Sequence, residues 1–237
     1  MRLSVEGAPA LVLLQELPAA TLARLERWSG YTAFGVVAMR PRLPRELAAR
    51  ITDLAPGTIR SAFEGQANAI LVAPELRAGD HRTLVLNPRT IRARAAAELR
   101  LGFRTRLAWA WERRMCHAVR VTLPDGRPLV VANLHATSYR DRRLADVEVL
   151  RAAAFADELA EPSTAIVLGG DFNLTASSHA LEALGSEEWG FSTAGPGIDH
   201  VLVRGLALVG VTRWPDERRG HGGRLLSDHA PVEATVE

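Results

Sequence analysis

Leu168-Gly169-Gly170-Asp171-Phe172-Asn173 is the stretch on which the reading of this chain turns. It is entered from Ala165–Leu168, an apolar run with the length of a buried strand. The glycines at its end leave the backbone free to turn. Asp171 and Asn173 follow two positions apart, a spacing that sends both side chains to the same side of an extended segment. One can accept a proton or hold a cation, and the other offers a donor and an acceptor to a phosphate oxygen. Taken alone, the pattern is equally an Asx turn closing a strand.

Outward from this stretch, other chemistry-bearing groups also fall at strand ends. Residues 118–123 and 128–134 are valine-rich and flank Pro124-Asp125-Gly126, which predicts a hairpin. Its second strand ends in Asn133-Leu134-His135. Leu11–Leu14 predicts a buried strand ending at Gln15-Glu16. Gly197-Ile198-Asp199-His200 enters a strand over 200–203, followed by another over 206–213. Ser227-Asp228-His229-Ala230-Pro231 precedes a final strand over 231–236. Ala69–Ala73 predicts a further strand. Helical spacing is found over 19–28 (Leu22, Leu25, Trp28), in a stretch opened by Pro44 (Leu47, Ile51, Leu54), and over 140–160 (Leu144, Val147, Leu150, Ala154). Ser177–Leu184 predicts a short helix with a serine at its start. Hairpins outnumber strict strand–helix–strand units, which argues for antiparallel or mixed sheets covered by helices.

The chain has 237 residues, 47% of them hydrophobic, enough for one large core, and residues 1–237 are expected to form a single domain. No apolar run approaches the length that crosses a membrane, and no leader pattern opens the sequence. Cys116 is the single cysteine, so a disulfide framework and a cysteine-rich zinc site are excluded. These features fit a cytoplasmic monomer. The basic residues are all arginine, the better fork for phosphate oxygens. Six arginines fall between Arg89 and Arg106, with Trp109, Trp111, Arg113 and Arg114 after them. The expected structure there is a helix with a solvated basic face, then a strand with half-buried tryptophans; a nucleic-acid flank is the alternative.

In this order, the motifs resemble those of the endonuclease/exonuclease/phosphatase superfamily, the group that includes pancreatic-type deoxyribonucleases and abasic-site endonucleases. Gln15-Glu16 matches its LQE motif, His135 its NLH motif, Gly170–Asn173 GDFN, Asp199 the ID motif and Ser227–Val232 SDHxPV. The resemblance spans the chain from Leu11 onward. It implies an α+β fold, a two-sheet β-sandwich flanked by helices in four layers. It implies a Mg²⁺-dependent (or Mn²⁺-dependent) phosphoester hydrolase, with a nuclease or phosphodiesterase as the first expectation. Glu16 and Asp228 are then metal-binding carboxylates. Asp171 orients or deprotonates the attacking water, and Asn173 holds phosphate and water. Asp199 hydrogen-bonds His229 beside the scissile phosphate, and His135 serves near the leaving group. Asn68 and Asn133 are expected substrate contacts. His81, His179 and His221 are read as surface or structural residues.

The chemistry of the residues supports those roles separately. Phosphodiester cleavage adds negative charge to the phosphoryl oxygens, which a hard cation held by carboxylates neutralises. The attacking water needs a base within reach. An aspartate fixes a histidine's tautomer and favours its charged form. The chain departs from the family at its start: the family's first strand, which carries an asparagine in a TWN-like pattern, has no counterpart before Glu16. A first strand is therefore expected to be missing, leaving a neighbouring edge open. A phosphatase or phosphodiesterase acting on small-molecule or lipid phosphoesters, or a catalytically weakened binding module, shares the same motifs and stays open as an alternative.

Overall fold

The computed structural model describes residues 7–40, 65–192, 195–221, 224–225 and 227–237, giving only the backbone for residues 221, 224 and 225. The expected helix opened by Pro44, and the side chain of His221, lie outside the described residues. The larger sheet is built from β4 (Arg77–Val85), β5 (Met115–Thr122), β6 (Pro128–His135), β7 (Ala165–Asp171) and β8 (Asp199–Arg204), in that spatial order. Its neighbours run antiparallel except β6 and β7, which are parallel. Parallel neighbours need a long crossover, and α4 (Arg143–Leu159) supplies it. The second sheet contains β1 (Leu11–Pro18), β2 (Thr32–Met39) and β3 (Gln66–Val72), ordered β1-β3-β2. β9 (Leu208–Arg213) pairs with β12 (Val232–Val236), and β10 (Gly220–His221) with β11 (Arg224–Leu225).

Side-chain alternation sorts the core into three apolar layers. Val12, Leu14, Ala69 and Leu71 face Leu22 and Leu25 from a 3-10 turn (Ala19–Arg24) and α1 (Leu25–Ser29). Ile70 and Val72 face Val119, Leu129, Val131 and Val167 of the larger sheet. Alternate residues of that sheet, among them Val130, Ala132, Ile166 and Leu168, pack on Val149, Ala152 and Ala156 of α4 and on Leu181 and Leu184 of α5 (His179–Leu184). The result is the expected α+β sandwich of two sheets with helices outside. The cap of α5 is Ser178, one residue after the expected start at Ser177, its hydroxyl accepting from Leu181 N–H.

β2 and β4 do not stand out in the sequence. Each is the edge of its sheet. β4 has Arg77, Asp80 and Arg82 exposed and a register break between Ala78 and His81, features that protect an edge and erase the apolar pattern. The arginine-rich stretch also differs from expectation. It forms two helices, α2 (Arg89–Glu98) and α3 (Phe103–Trp111), so the tryptophans lie on a helix and not on a strand. Trp109 is buried among Ala95, Ala96, Leu101 and Leu144, its indole N–H meeting Glu148 Oε1 at 2.6 Å, while Trp111 is exposed. Before β1 there is no strand among the described residues. Among the described residues β1 pairs with β3 alone and β12 with β9 alone, so this side of the sandwich lies in separate pieces.

Candidate active site

The layer between the sheets is apolar along most of its length and becomes polar at one end. The alternation that turns Val119, Val131 and Val167 inward also turns His117, Asn133, His135 and Asp171 inward at the ends of β5, β6 and β7. At the end of β7, Gly170 has φ +135°, and a Cβ there would lie 2.0 Å from Leu134 O. At Gly169 a Cβ would lie 2.5 Å from Leu13 Cδ1, so this glycine lets β1 approach. Asp171 then accepts at Oδ1 from Asn173 N–H (2.9 Å), with Asn173 in a left-handed conformation at φ +52°. The Asx turn is therefore present and orients the carboxylate. Asn173 has left the strand, so it does not project alongside Asp171. It turns back and donates from Nδ2 to Ala136 O (3.1 Å).

β8 runs antiparallel to β7 and pairs Asp199 with Asp171. His229 arrives from the loop before β12 and places Nδ1 3.0 and 3.1 Å from the two Asp199 carboxylate oxygens. Arg213 supports Asp199, donating to its carbonyl at 3.0 Å, with Nη1 3.8 Å from the carboxylate. Asp171, Asp199 and His229 each offer one ligand-type atom within 4.8 Å of the others. Burial, then the Asp199 charge, raises the Asp171 carboxyl to about 6, against the lowering effects of the Asn173 N–H, His229 and Arg114. Burial pulls the His229 imidazolium down, but the Asp199 hydrogen bond and charge, aided by Asp171 and Asp228, prevail and raise it.

His135 stands opposite. Its Nε2 lies 3.5 Å from Asp171 Oδ2, 3.8 Å from Glu16 Oε1 and 3.1 Å from Arg114 Nη1. Burial, then the charges of Arg114 and His229, holds its proton affinity well below the usual histidine range, so it is neutral. Arg114 is itself buried and pairs with Glu112. Glu16 sits in an irregularity of β1, where pairing to β3 shifts register between Leu14 and Leu17, and has φ +56°. Its Oε1 accepts from Gln66 Nε2 (3.2 Å).

The structure thus brings Glu16, His135, Asp171, Asn173, Asp199 and His229 to one end of the sandwich. Asp228 is exposed and influences His229 through its charge, but it is not part of the Asp171–Asp199–His229 group. Two of the expected substrate contacts lie in the interior of this structure. Asn133 is fully buried. Its Nδ2 donates to Leu14 O and Ala69 O, both at 3.0 Å, and its Oδ1 accepts from Gln15 Nε2 at 2.7 Å. That amide ties the two sheets together. Asn68 is 1% exposed, and its sealed Nδ2 has no partner among the described residues.

Arg114 is the site residue that sequence reading left inside a bland basic flank. The hairpin register could have found it. Cys116 pairs with Leu134, which puts Arg114 level with the residue after His135. His81 was read as surface or structural; its Nε2 lies 3.1 Å from His117 Nδ1, in a polar file that continues to Asn133. Among the described residues no helix is long and apolar enough to cross a membrane.

Comparison with solved structures shows the same architecture. A Bacteroides vulgatus endonuclease/exonuclease/phosphatase is 16% identical with a TM-score of 0.68, the alignment covering 100% of this chain and 87% of that one. The human Nocturnin catalytic domain, solved with bound sulfate, is 12% identical with a TM-score of 0.65, covering 98% and 83%. D. rerio TDP2, complexed with single strand DNA product, is 13% identical with a TM-score of 0.64, covering 98% and 88%. No curated protein matches. The family model described as the Endonuclease/Exonuclease/phosphatase family matches residues 5–229. That span contains Glu16, His135, Asp171, Asn173, Asp199 and His229, and the chain belongs to the endonuclease/exonuclease/phosphatase family.

Proposed function

We propose that this protein is a Mg²⁺-dependent phosphodiesterase acting on nucleic acid, cleaving by attack of water on phosphorus. The observation that carries the reading is the Asp199–His229 pair set beside Asp171. One carboxylate is raised toward neutrality, and the other holds an imidazole in one tautomer. Neighbouring groups pushed apart in this way divide the labour of acid and base.

Asp171 takes the proton of the attacking water; Asn173 N–H holds Oδ1, and Oδ2 faces His135. Asp199 occupies Nδ1 of His229 and leaves Nε2 to donate to a phosphoryl oxygen, where charge grows in the transition state. His135, kept neutral, adds a hydrogen bond near the leaving oxygen. The Arg114 guanidinium behind it supplies fixed positive charge in a sheltered place. The exposed carboxylate of Glu16, across His135 from Asp171, suits a hard divalent cation. Asp199 is committed to His229 and is not needed for that purpose. When bound, Mg²⁺ supplies Lewis-acid neutralisation of the phosphoryl charge.

Support for nucleic acid over a small-molecule phosphoester comes from the arginine-rich chain and from the fold shared with TDP2, which was solved with a DNA product. Hydrolysis of bis-p-nitrophenyl phosphate and of plasmid DNA, with and without Mg²⁺, tests the reading. Activity on both should require the metal and fall about a hundredfold or more in Asp171→Ala. Equal rates in the variant would remove Asp171 from the mechanism, and hydrolysis of phosphomonoesters alone would reassign the substrate.

A further inference from the structure

α3 presents an unusual outer face. Phe103 is 73% exposed, Leu107 55% and Trp111 70%. They are spaced four residues apart, so they form one stripe along the helix. Arg104 and Arg106 are exposed on either side of the stripe, Arg113 just past the helix end is exposed and donates to Val37 O at 3.3 Å, and no ion pair among the described residues includes them. The helix itself holds no acidic residue. Aligned large apolar side chains that face water commonly mark a contact surface, and surplus positive charge around them selects a polyanion.

The inner face of α3 is firmly anchored. Trp109 Nε1 donates to Glu148 Oε1 at 2.6 Å, and the same carboxylate accepts from Thr137 N–H (2.6 Å) and Thr137 Oγ1 (2.8 Å). The helix is thereby held against the segment that follows His135. The chain then runs from Trp111 to Arg114, which touches His135. Three residues span at most about 11 Å, so one end of the stripe lies close to the candidate site. The other end, at Phe103, is about 12 Å further along the helix.

We propose that this face of α3 is a platform for single-stranded nucleic acid, the flank of a strand whose phosphodiester lies in the hydrolytic site. Phe103 and Trp111 stack on bases, Leu107 fills the space between them, and Arg104, Arg106 and Arg113 meet the phosphates. A single strand is required because stacking on a protein ring needs an unpaired base face, which a duplex keeps covered. The inference rests on the phosphodiesterase reading for its substrate but concerns a separate surface.

Fluorescence anisotropy of a labelled, mixed-sequence single-stranded oligodeoxynucleotide, titrated with protein in chelator, reads the platform without turnover. The variant carries Phe103→Ala, Arg104→Ala and Arg106→Ala, all at exposed positions. Its affinity should fall about tenfold or more, with a shallower salt dependence than the parent chain. Its hydrolysis of bis-p-nitrophenyl phosphate, too short to reach α3, reports the hydrolytic site separately. Parent protein inert on that substrate, yet losing oligonucleotide affinity with the α3 changes, would reject the hydrolase reading and retain the platform. Unchanged oligonucleotide affinity would overturn the platform. So would tight α3-dependent binding to anionic lipid vesicles with no affinity for the oligonucleotide, which would make the stripe a membrane contact.

Discussion

Asn133 donates from Nδ2 to Leu14 O at 3.0 Å across 119 positions of sequence, joining the two sheets just behind the irregularity that carries Glu16. The same side chain accepts from Gln15, the residue before Glu16. Asn133→Ala should cost about 2 kcal/mol or more, because two backbone carbonyls and the Gln15 amide lose a partner in a buried place. It should also raise the Mg²⁺ concentration needed for half-maximal activity. Denaturant unfolding and a metal titration check both; an unchanged metal requirement would mean that β1 holds Glu16 without this tie.

Activity should have an acid limb at or below about pH 6, lower at saturating than at limiting Mg²⁺. Asp171 is raised to about 6, chiefly by burial and then by Asp199, so it is a carboxylate above that pH and a neutral acid below it. A base that must accept a proton loses function as pH falls through this value. A pH profile of kcat/KM on bis-p-nitrophenyl phosphate measures the limb. Asp199→Asn removes one of the raising charges and should move the limb to lower pH while also reducing the rate, since His229 loses its partner.

His117 should make the fold less stable in acid. It is fully buried, with its pKa lowered to about 3 by burial and then by His81. The unfolded chain takes up a proton near pH 6.5, whereas the folded protein resists until about 3. Stability is therefore full above the unfolded value and is lost as pH falls through the window between the two. From pH 7 to pH 5 this one residue accounts for about 2 kcal/mol. Chemical denaturation at the two pH values should show a smaller difference in His117→Gln than in the parent chain; an identical difference would assign the acid sensitivity elsewhere.

Glu148 should matter to both stability and catalysis without touching the reacting groups. Its buried carboxylate joins Trp109 of α3 to Thr137, two residues beyond His135. Glu148→Ala should destabilise by about 3 kcal/mol through unmet buried donors and lower kcat through misplaced His135. Glu148→Gln, with a single acceptor oxygen, should recover part of the stability. A melting series alongside steady-state kinetics separates the two effects.

Gly170→Ala should be among the most damaging single changes. The added Cβ would sit 2.0 Å from Leu134 O in a backbone conformation that side chains rarely adopt. The end of β7 would have to shift and take Asp171 with it. Loss of soluble protein, or of about 3 kcal/mol together with activity, is the expected result. Full activity in this variant would show that the strand end can relax.

How much was legible follows from what each signal depends on. The GDFN turn, the Asp199 and His229 motifs, and the β5–β6 hairpin are local patterns of spacing and turn chemistry, so they could be read directly. β2 and β4 could not, because an edge strand needs no alternation to be stable. Trp109 and Trp111 were assigned to a strand because neither ring shows by itself what it faces. Packing against Ala95, Leu101 and Leu144, together with the Glu148 carboxylate, makes Trp109 the buried one.

The sequence by itself determined the family and the set of chemical groups, since order and spacing are properties of the chain. Tertiary structure alone decided which groups share a space. Asn133, adjacent to a motif, is used for tying sheets, while Arg114, in an unremarkable basic run, is buried against His135. Hydrogen bonds and charges act over a few ångströms, and only the packing of two sheets brings residues more than a hundred positions apart within that range.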